Sequence, residues 1–392
     1  MIACLAALAA VPALNLLSLG YLLEASGRVA RSGRIRDGFI DIPKFARLGS
    51  LAAGTWLCLL VPRLVASLAS DAWLIAPGSN TAQAWRIGLV AVTLLTVGHI
   101  LLAWASGGRL RHFFWPLLAP FQLGGRLIWG WVVRPVVQPA LARLWPALAD
   151  DLFDLRPLAD WFPPAIVAAA IRRGGVYFQA RDAVYDFLVS LRLPSYFWLG
   201  LRGFLGGLVW LFVPSLMLMA GTSGRGPLTI LVGYAGAILL GWVLLHLSFL
   251  QTRLAAENRF AALFDWRETA RQAGRAPIAY WFALAVTLLL AIPLFLLKIE
   301  PPPRELWWTL TIFFIVFMYP ARLVTGWAVA RASRRQQPRW FLVRWLGRAA
   351  ALPVIAFYIF ILFFTQYTSY LGPASLLEQH AFLVPVPFLA LR

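Results

Sequence analysis

Lysine is nearly absent from this 392-residue chain: Lys44 and Lys298 stand against 33 arginines. Charge of any kind is scarce, at 13% of residues, where a soluble domain carries about 25%. Acidic residues number 16, and none falls centrally in a long apolar run. That argues against a proton- or sodium-coupled pump built on a membrane carboxylate. The two cysteines, Cys4 and Cys58, both sit in apolar runs, which excludes a disulfide framework and a cysteine-based metal site. No lipobox precedes Cys4. The chain has no Walker A loop, no His-Glu-x-x-His and no Gly-x-Ser-x-Gly, so the common soluble-enzyme chemistries have no motif here. The apolar N-terminal stretch lacks a basic n-region and a polar cleavage site, and is expected to stay uncleaved.

What is abundant is apolar surface. Hydrophobic residues make up 61% of the chain and the mean hydropathy is +0.74. A soluble core cannot absorb that excess, so the sequence reads as an all-α polytopic transmembrane helix bundle. A span needs about 20 apolar residues. Eight runs qualify: 2–23, 48–70, 87–105, 197–220, 227–250, 279–297, 306–328 and 349–370. They are uniformly apolar, whereas barrel strands alternate over about ten residues. Nineteen Trp and 27 Phe suit aromatic belts at both interfaces.

The arginines are sorted. Twenty-seven of the 35 Lys and Arg residues fall in four connections, 24–47, 106–196, 251–278 and 329–348. Basic loops stay in the cytoplasm, so both termini are expected outside a bacterial inner membrane. The net charge of +19 is then a topology signal, not a nucleic-acid footprint. The expected organisation is three spans in 1–105, an amphipathic cytoplasmic-side segment in 106–196, five spans in 197–371 and an outer tail in 372–392. Within the second segment, 127–149 is apolar enough to cross. It carries Arg134, Arg143, Pro135, Pro139 and Pro146, however, and each central Arg costs roughly 2.5–3.5 kcal/mol on insertion scales. It reads as a broken interfacial helix rather than a ninth span. Asp150, Asp151, Asp154 and Asp160 follow without calcium-loop spacing. Two short surface helices are expected next, the second over 174–193 with Tyr177, Val184, Phe187, Leu188 and Leu191 on one stripe.

A faint repeat runs through the basic loops. Residues 39–49 align with 263–274, with Asp41 and Asp265 each followed five and six residues on by Ala-Arg; 339–348 is a looser third copy. A duplicated helix pair, as in transporters, would produce this pattern. So would the shared need of any re-entry loop for a basic, capped turn. The segments 12–24, 27–34 and 259–265 resemble a family of uncharacterised bacterial multi-pass membrane proteins. The resemblance implies an inner-membrane setting and no catalytic residue.

The ionisable residues inside spans are Arg63, Arg202, Arg322, His99 and His246. Arg202 and Arg322 lie near the basic side and are expected to snorkel; Arg63 lies nearer the outer half, where it could meet a lipid headgroup. A metal or porphyrin at His99 or His246 would want further ligands, and the spans offer few. Ser223 and His246 cannot form a hydrolytic dyad, because 23 residues of one helix separate them by about 34 Å. Gly203 and Gly207, with Gly233, Ala237 and Gly241, predict close packing of the fourth and fifth spans or of a dimer. The reading is a non-enzymatic protein without cofactor or metal that contacts anionic lipid through an Arg- and Trp-rich rim, with no nucleic-acid partner. A second copy or another membrane protein is a further partner it could take. The alternatives are a permease or lipid transporter and, last, an intramembrane enzyme.

Overall fold

The chain is described by a computed structural model over residues 1–120, 162–174, 176–224, 226–296, 299, 307–369 and 372–376. The long apolar runs become long helices: α1 (Ile2–Ala9), α2 (Asn15–Ser32), α3 (Ile42–Ile75), α4 (Asn80–Ala105), α5 (Leu110–Phe113), α6 (Pro163–Arg173), α7 (Val176–Ser190), α8 (Leu193–Ser223), α9 (Pro227–Glu257), α10 (Trp266–Arg275), α11 (Pro277–Leu296), α12 (Trp307–Ser333) and α13 (Phe341–Thr368). No strand occurs among the described residues. Seven helices are long and apolar enough to cross a membrane: α3, α4, α8, α9, α11, α12 and α13. The protein is a multi-pass all-α bundle. The expected interfacial segment 127–149 and the acidic cluster Asp150–Asp160 lie outside the described residues. The helices fall into two units, Met1–Ile42 with Leu191–Arg392, and Pro43–Ser190.

The first expected span, 2–23, is not one helix. It breaks at residues 10–14, where Pro12 precedes Ala13 in the left-handed region (φ 66°). The two pieces run antiparallel: Ser18 Oγ donates to Leu5 O at 2.7 Å, and Tyr21 Oη lies 3.0 Å from Met1 Sδ. Thr311 Oγ1 donates to Ala6 O at 2.7 Å and fastens α1 to α12. Continuous apolarity hid the break, because a hairpin buried in protein is as apolar as a crossing helix.

α2 is the axis of the larger unit, buried on nearly every side from Asn15 to Ala30. Lipid tails are as apolar as leucine, so membrane helices associate through close packing of small residues. α2 uses this three times. Gly20 and Gly200 meet across α2 and α8, and a Cβ on either would overlap the partner backbone. Gly27 abuts Ala255 of α9, and Gly326 of α12 abuts the carbonyl of Ser26. Leu19 and Leu23 then pack with Leu199, Leu250 and Leu254. A second core joins α9, α11, α12 and α13 through Leu244, Leu247, Leu284, Leu288, Ala328, Val329, Ile355 and Tyr358.

α2 and α9 end alike. Gly33 (φ 73°) and Asn258 (φ 52°) close them in the left-handed conformation. An extended arginine follows each, Arg34 and Arg259, and then a four-residue 3-10 turn, Ile35–Gly38 and Phe260–Leu263. The last carbonyl of each turn accepts from an aromatic donor: Tyr319 Oη to Gly38 O and Trp210 Nε1 to Leu263 O, both at 2.9 Å. The repeat is therefore one of backbone shape. Its register pairs Phe39 with Phe264, one residue away from the Asp41–Asp265 alignment, because Ile40 is an extra residue before Asp41.

In the other unit, Gly78 (φ 78°) turns the chain between α3 and α4, and Ser79 caps α4 by accepting from Ala82 N at 3.2 Å. Trp104 Nε1 donates to Thr55 Oγ1 at 3.0 Å, and Phe113 covers Gly54. Lys44 Nζ donates to Ser190 O at 2.7 Å and closes α7, and the Arg47 guanidinium lies over the Phe187 ring. Both outer faces remain apolar, with Trp56, Leu64, Leu94 and Leu95 exposed.

Candidate functional site

The arginines of the larger unit first serve the backbone. A helix leaves its last four carbonyls without intrahelical donors, and a cation there also meets the negative end of the dipole. Arg31 Nη1 donates to Ala255 O at 2.8 Å and to Ala256 O at 3.3 Å, in the last turn of α9. Arg334 Nη2 donates to Ser32 O at 2.9 Å, at the end of α2. Arg202 Nη2 donates to Asn258 Oδ1 at 2.6 Å. Arg253 Nη1 donates to Asp265 O at 3.0 Å and its Nη2 pairs with Glu257 at 2.8 Å. Arg339 N donates to Gly274 O at 3.0 Å. These bonds draw the segments around 24–34, 192–202, 251–278 and 331–348 to one end of the unit.

The predicted residues are scattered. Arg63 is exposed on α3 beside Pro62. His99 Nε2 lies 2.7 Å from Phe113 O, and His246 Nδ1 lies 2.8 Å from Trp242 O. One ring nitrogen of each thus meets a backbone carbonyl, and among the described residues no three His, Cys, Asp or Glu side chains gather as a metal site. Arg202 is half-buried at the basic end, where it donates to Asn258. Arg322, expected to snorkel, is 2% exposed, so its side chain is enclosed by the protein. Gly203 meets Leu23 of α2, and Gly207 is buried on α8. The tight contact between α8 and α9 is made by Gly221 against Gly233, with Gly236 on the Met217–Leu218 backbone. Gly241 faces Ile355 and Ile359 of α13 at 3.3 and 3.4 Å from where a Cβ would stand.

Gly233, Ala237 and Gly241 share a further role. They form the floor of an apolar groove of about 980 Å³ between α9 and α13, walled by Ile355, Ile359, Phe360 and Phe364. Leu245 lines both the groove and a neighbouring small cavity of about 70 Å³ that also touches Arg344 and Arg348. Those two arginines in turn line a basic pocket of about 340 Å³ with Arg271 and Arg275. Glu268 pairs with Arg271 at 2.9 Å and with Arg275 at 3.5 Å. Among the described residues Arg344 and Arg348 make no ion pair, and Arg344 Nε is buried without a hydrogen-bond partner. The spacing that could have revealed this is legible: Arg344, Arg348, Ala351, Ile355 and Ile359 recur every three or four residues, hence on one helix face.

A second pocket of about 360 Å³ lies at the same end, lined by Arg28, Arg31, Arg192, Arg202, Glu24 and Tyr196. Glu24 accepts from Arg28 at 3.1 Å and from Arg31 at 2.8 Å. Among the groups outside the spans, Asp265 and His112 have displaced titrations. The Asp265 carboxylate accepts from Glu268 N at 3.1 Å, and this bond, with the Arg253 charge, holds it below the ordinary range. Burial beside Arg111 and Arg109 pushes His112 down to about 4.

No family model matches the chain, and no curated protein or solved structure matches it either.

Proposed function

We propose that this is a non-enzymatic membrane protein that gathers anionic lipid at its Arg- and Trp-rich end. The observation that supports it is an excess of arginine at one end of the larger unit, beyond what the helix ends use. Arg31, Arg202 and Arg334 are taken up by carbonyls, whereas Arg344 and Arg348 line a pocket with no described counterion. Trp198, Trp340 and Trp345 are exposed around this end, a residue type enriched at headgroup depth. Each arginine near an anionic surface contributes about 1 kcal/mol. In this reading the basic end faces the cytoplasm of a bacterial inner membrane and the C-terminal segment lies outside. Lipid analysis of the protein extracted with its surrounding bilayer should show anionic lipid enriched over the bulk; equal composition would count against the reading.

A permease or lipid transporter is the second reading. The α1–α2 break and the repeated end of α2 and α9 favour it, since broken helices and internal repeats recur in transporters. Flux or lipid translocation by reconstituted protein would distinguish it from a static organiser.

A further inference from the structure

We infer that the α9–α13 groove and the basic pocket beyond it form one binding site for a single anionic phospholipid. Its acyl chain would lie on the floor made by Gly233, Ala237 and Gly241, and its phosphate would sit between Arg344 and Arg348. This inference rests on the lipid reading above and narrows it to one address.

Three observations carry it. The first is shape. Three small residues at i, i+4 and i+8 hollow one face of α9, while the facing stripe of α13 supplies Ile355, Ile359 and Phe360 as a wall. An apolar trough of about 980 Å³ that faces other apolar matter must be filled, because an empty void forfeits its dispersion contacts. The second is adjacency. Leu245 lines both the groove and the small cavity that Arg344 and Arg348 also line. The groove therefore has cations beyond one end and apolar side chains along its length. That gradient is the signature of an amphiphile, not of a soluble solute or a partner helix. The third is charge. Glu268 accounts for Arg271 and Arg275, leaving Arg344 and Arg348 in surplus. Their guanidinium groups are planar forks suited to two oxygens of one phosphate. Position agrees as well: Arg344 and Arg348 lie in the first two turns of α13, with the exposed Trp345 between them.

The test is native mass spectrometry of the full-length protein in detergent, titrated with phosphatidylglycerol or phosphatidylcholine of identical chains. The wild type should retain phosphatidylglycerol preferentially. Arg344→Gln with Arg348→Gln should weaken phosphatidylglycerol about tenfold, or about 1.4 kcal/mol, and phosphatidylcholine by less, because its choline cation already offsets the phosphate charge. Arg172→Gln with Arg173→Gln, exposed on α6, should change neither. Ala237→Phe should reduce retention of both lipids. Should that variant misfold, quenching by bromine-labelled chains replaces it: Trp242, which lines the groove, should be quenched, and Trp242→Phe should remove that component. Preference for phosphatidylglycerol that survives the Arg344/Arg348 change overturns this site and leaves the general lipid reading standing. Equal retention of the two lipids by the wild type overturns both. Glycerol phosphate that displaces the lipid as effectively as a second phosphatidylglycerol would show that the chain is not held, and also overturns the site. So would an unquenched Trp242.

Discussion

Arg31, on α2, donates to the carbonyl of Ala255, on α9, at 2.8 Å, across 224 residues of sequence. A side chain counted at first as cytoplasmic loop charge is a cap for a distant helix. Arg31→Ala should lower the thermal stability of the purified protein by about 1 kcal/mol, the scale of a cation at a helix C-terminus. Arg31→Lys should recover part of it, because one ammonium can replace the charge but not the fork that also reaches Glu24. Melting curves of the three forms in one detergent decide the point.

Glycine positions should divide sharply. Gly200→Leu places a side chain into the Leu16 and Gly20 backbone and should cost at least the 1–3 kcal/mol typical of overpacking, with poor expression as the visible outcome. Gly98, on α4, has open space where a Cβ would stand. Gly98→Ala should be neutral, or stabilise by up to about 1 kcal/mol through helix propensity. A difference in yield and melting temperature between the two checks the close packing of α2 against α8.

Acid should loosen the Pro43–Ser190 unit. His112 is held neutral, its titration pushed down to about 4 by burial and by Arg111 and Arg109. Unfolded, it would take a proton near pH 6.5. Stability from this group is therefore complete above about pH 6.5 and is lost as pH falls toward 4. Hydrogen exchange at Leu110–Phe113 should accelerate between pH 7 and pH 5 beyond the intrinsic pH effect. His112→Gln should abolish that excess. Asp265 acts the same way lower down: its bond to Glu268 N is lost only as pH falls through its depressed titration.

Much of the architecture was legible because hydrophobic length is a strong signal. Seven of the eight apolar runs appear as single long helices. The eighth failed for a physical reason: Met1–Leu23 is apolar throughout, and a buried hairpin satisfies the same composition as a crossing helix. Pro12 was the available sign. α2 was cut short at Leu23 because Glu24, Arg28 and Arg31 look like a loop, yet they prolong the helix by capping and pairing. The small-residue stripe was visible, but not that Gly233, Ala237 and Gly241 floor a groove as well as pack. That depends on α13, more than a hundred residues away. The burial of Arg322 was not legible, because distance along the chain to the basic end says nothing about which way its side chain faces.

The account depends on all basic segments lying on one side of the membrane. In a background carrying Cys4→Ser and Cys58→Ser, single changes Ser79→Cys and Ser333→Cys can be probed with a membrane-impermeant maleimide on intact cells. Ser79, at the turn before α4, should label from outside; Ser333, at the end of α12, should label only after permeabilisation. Labelling of Ser333 on intact cells, with Ser79 protected, would contradict it.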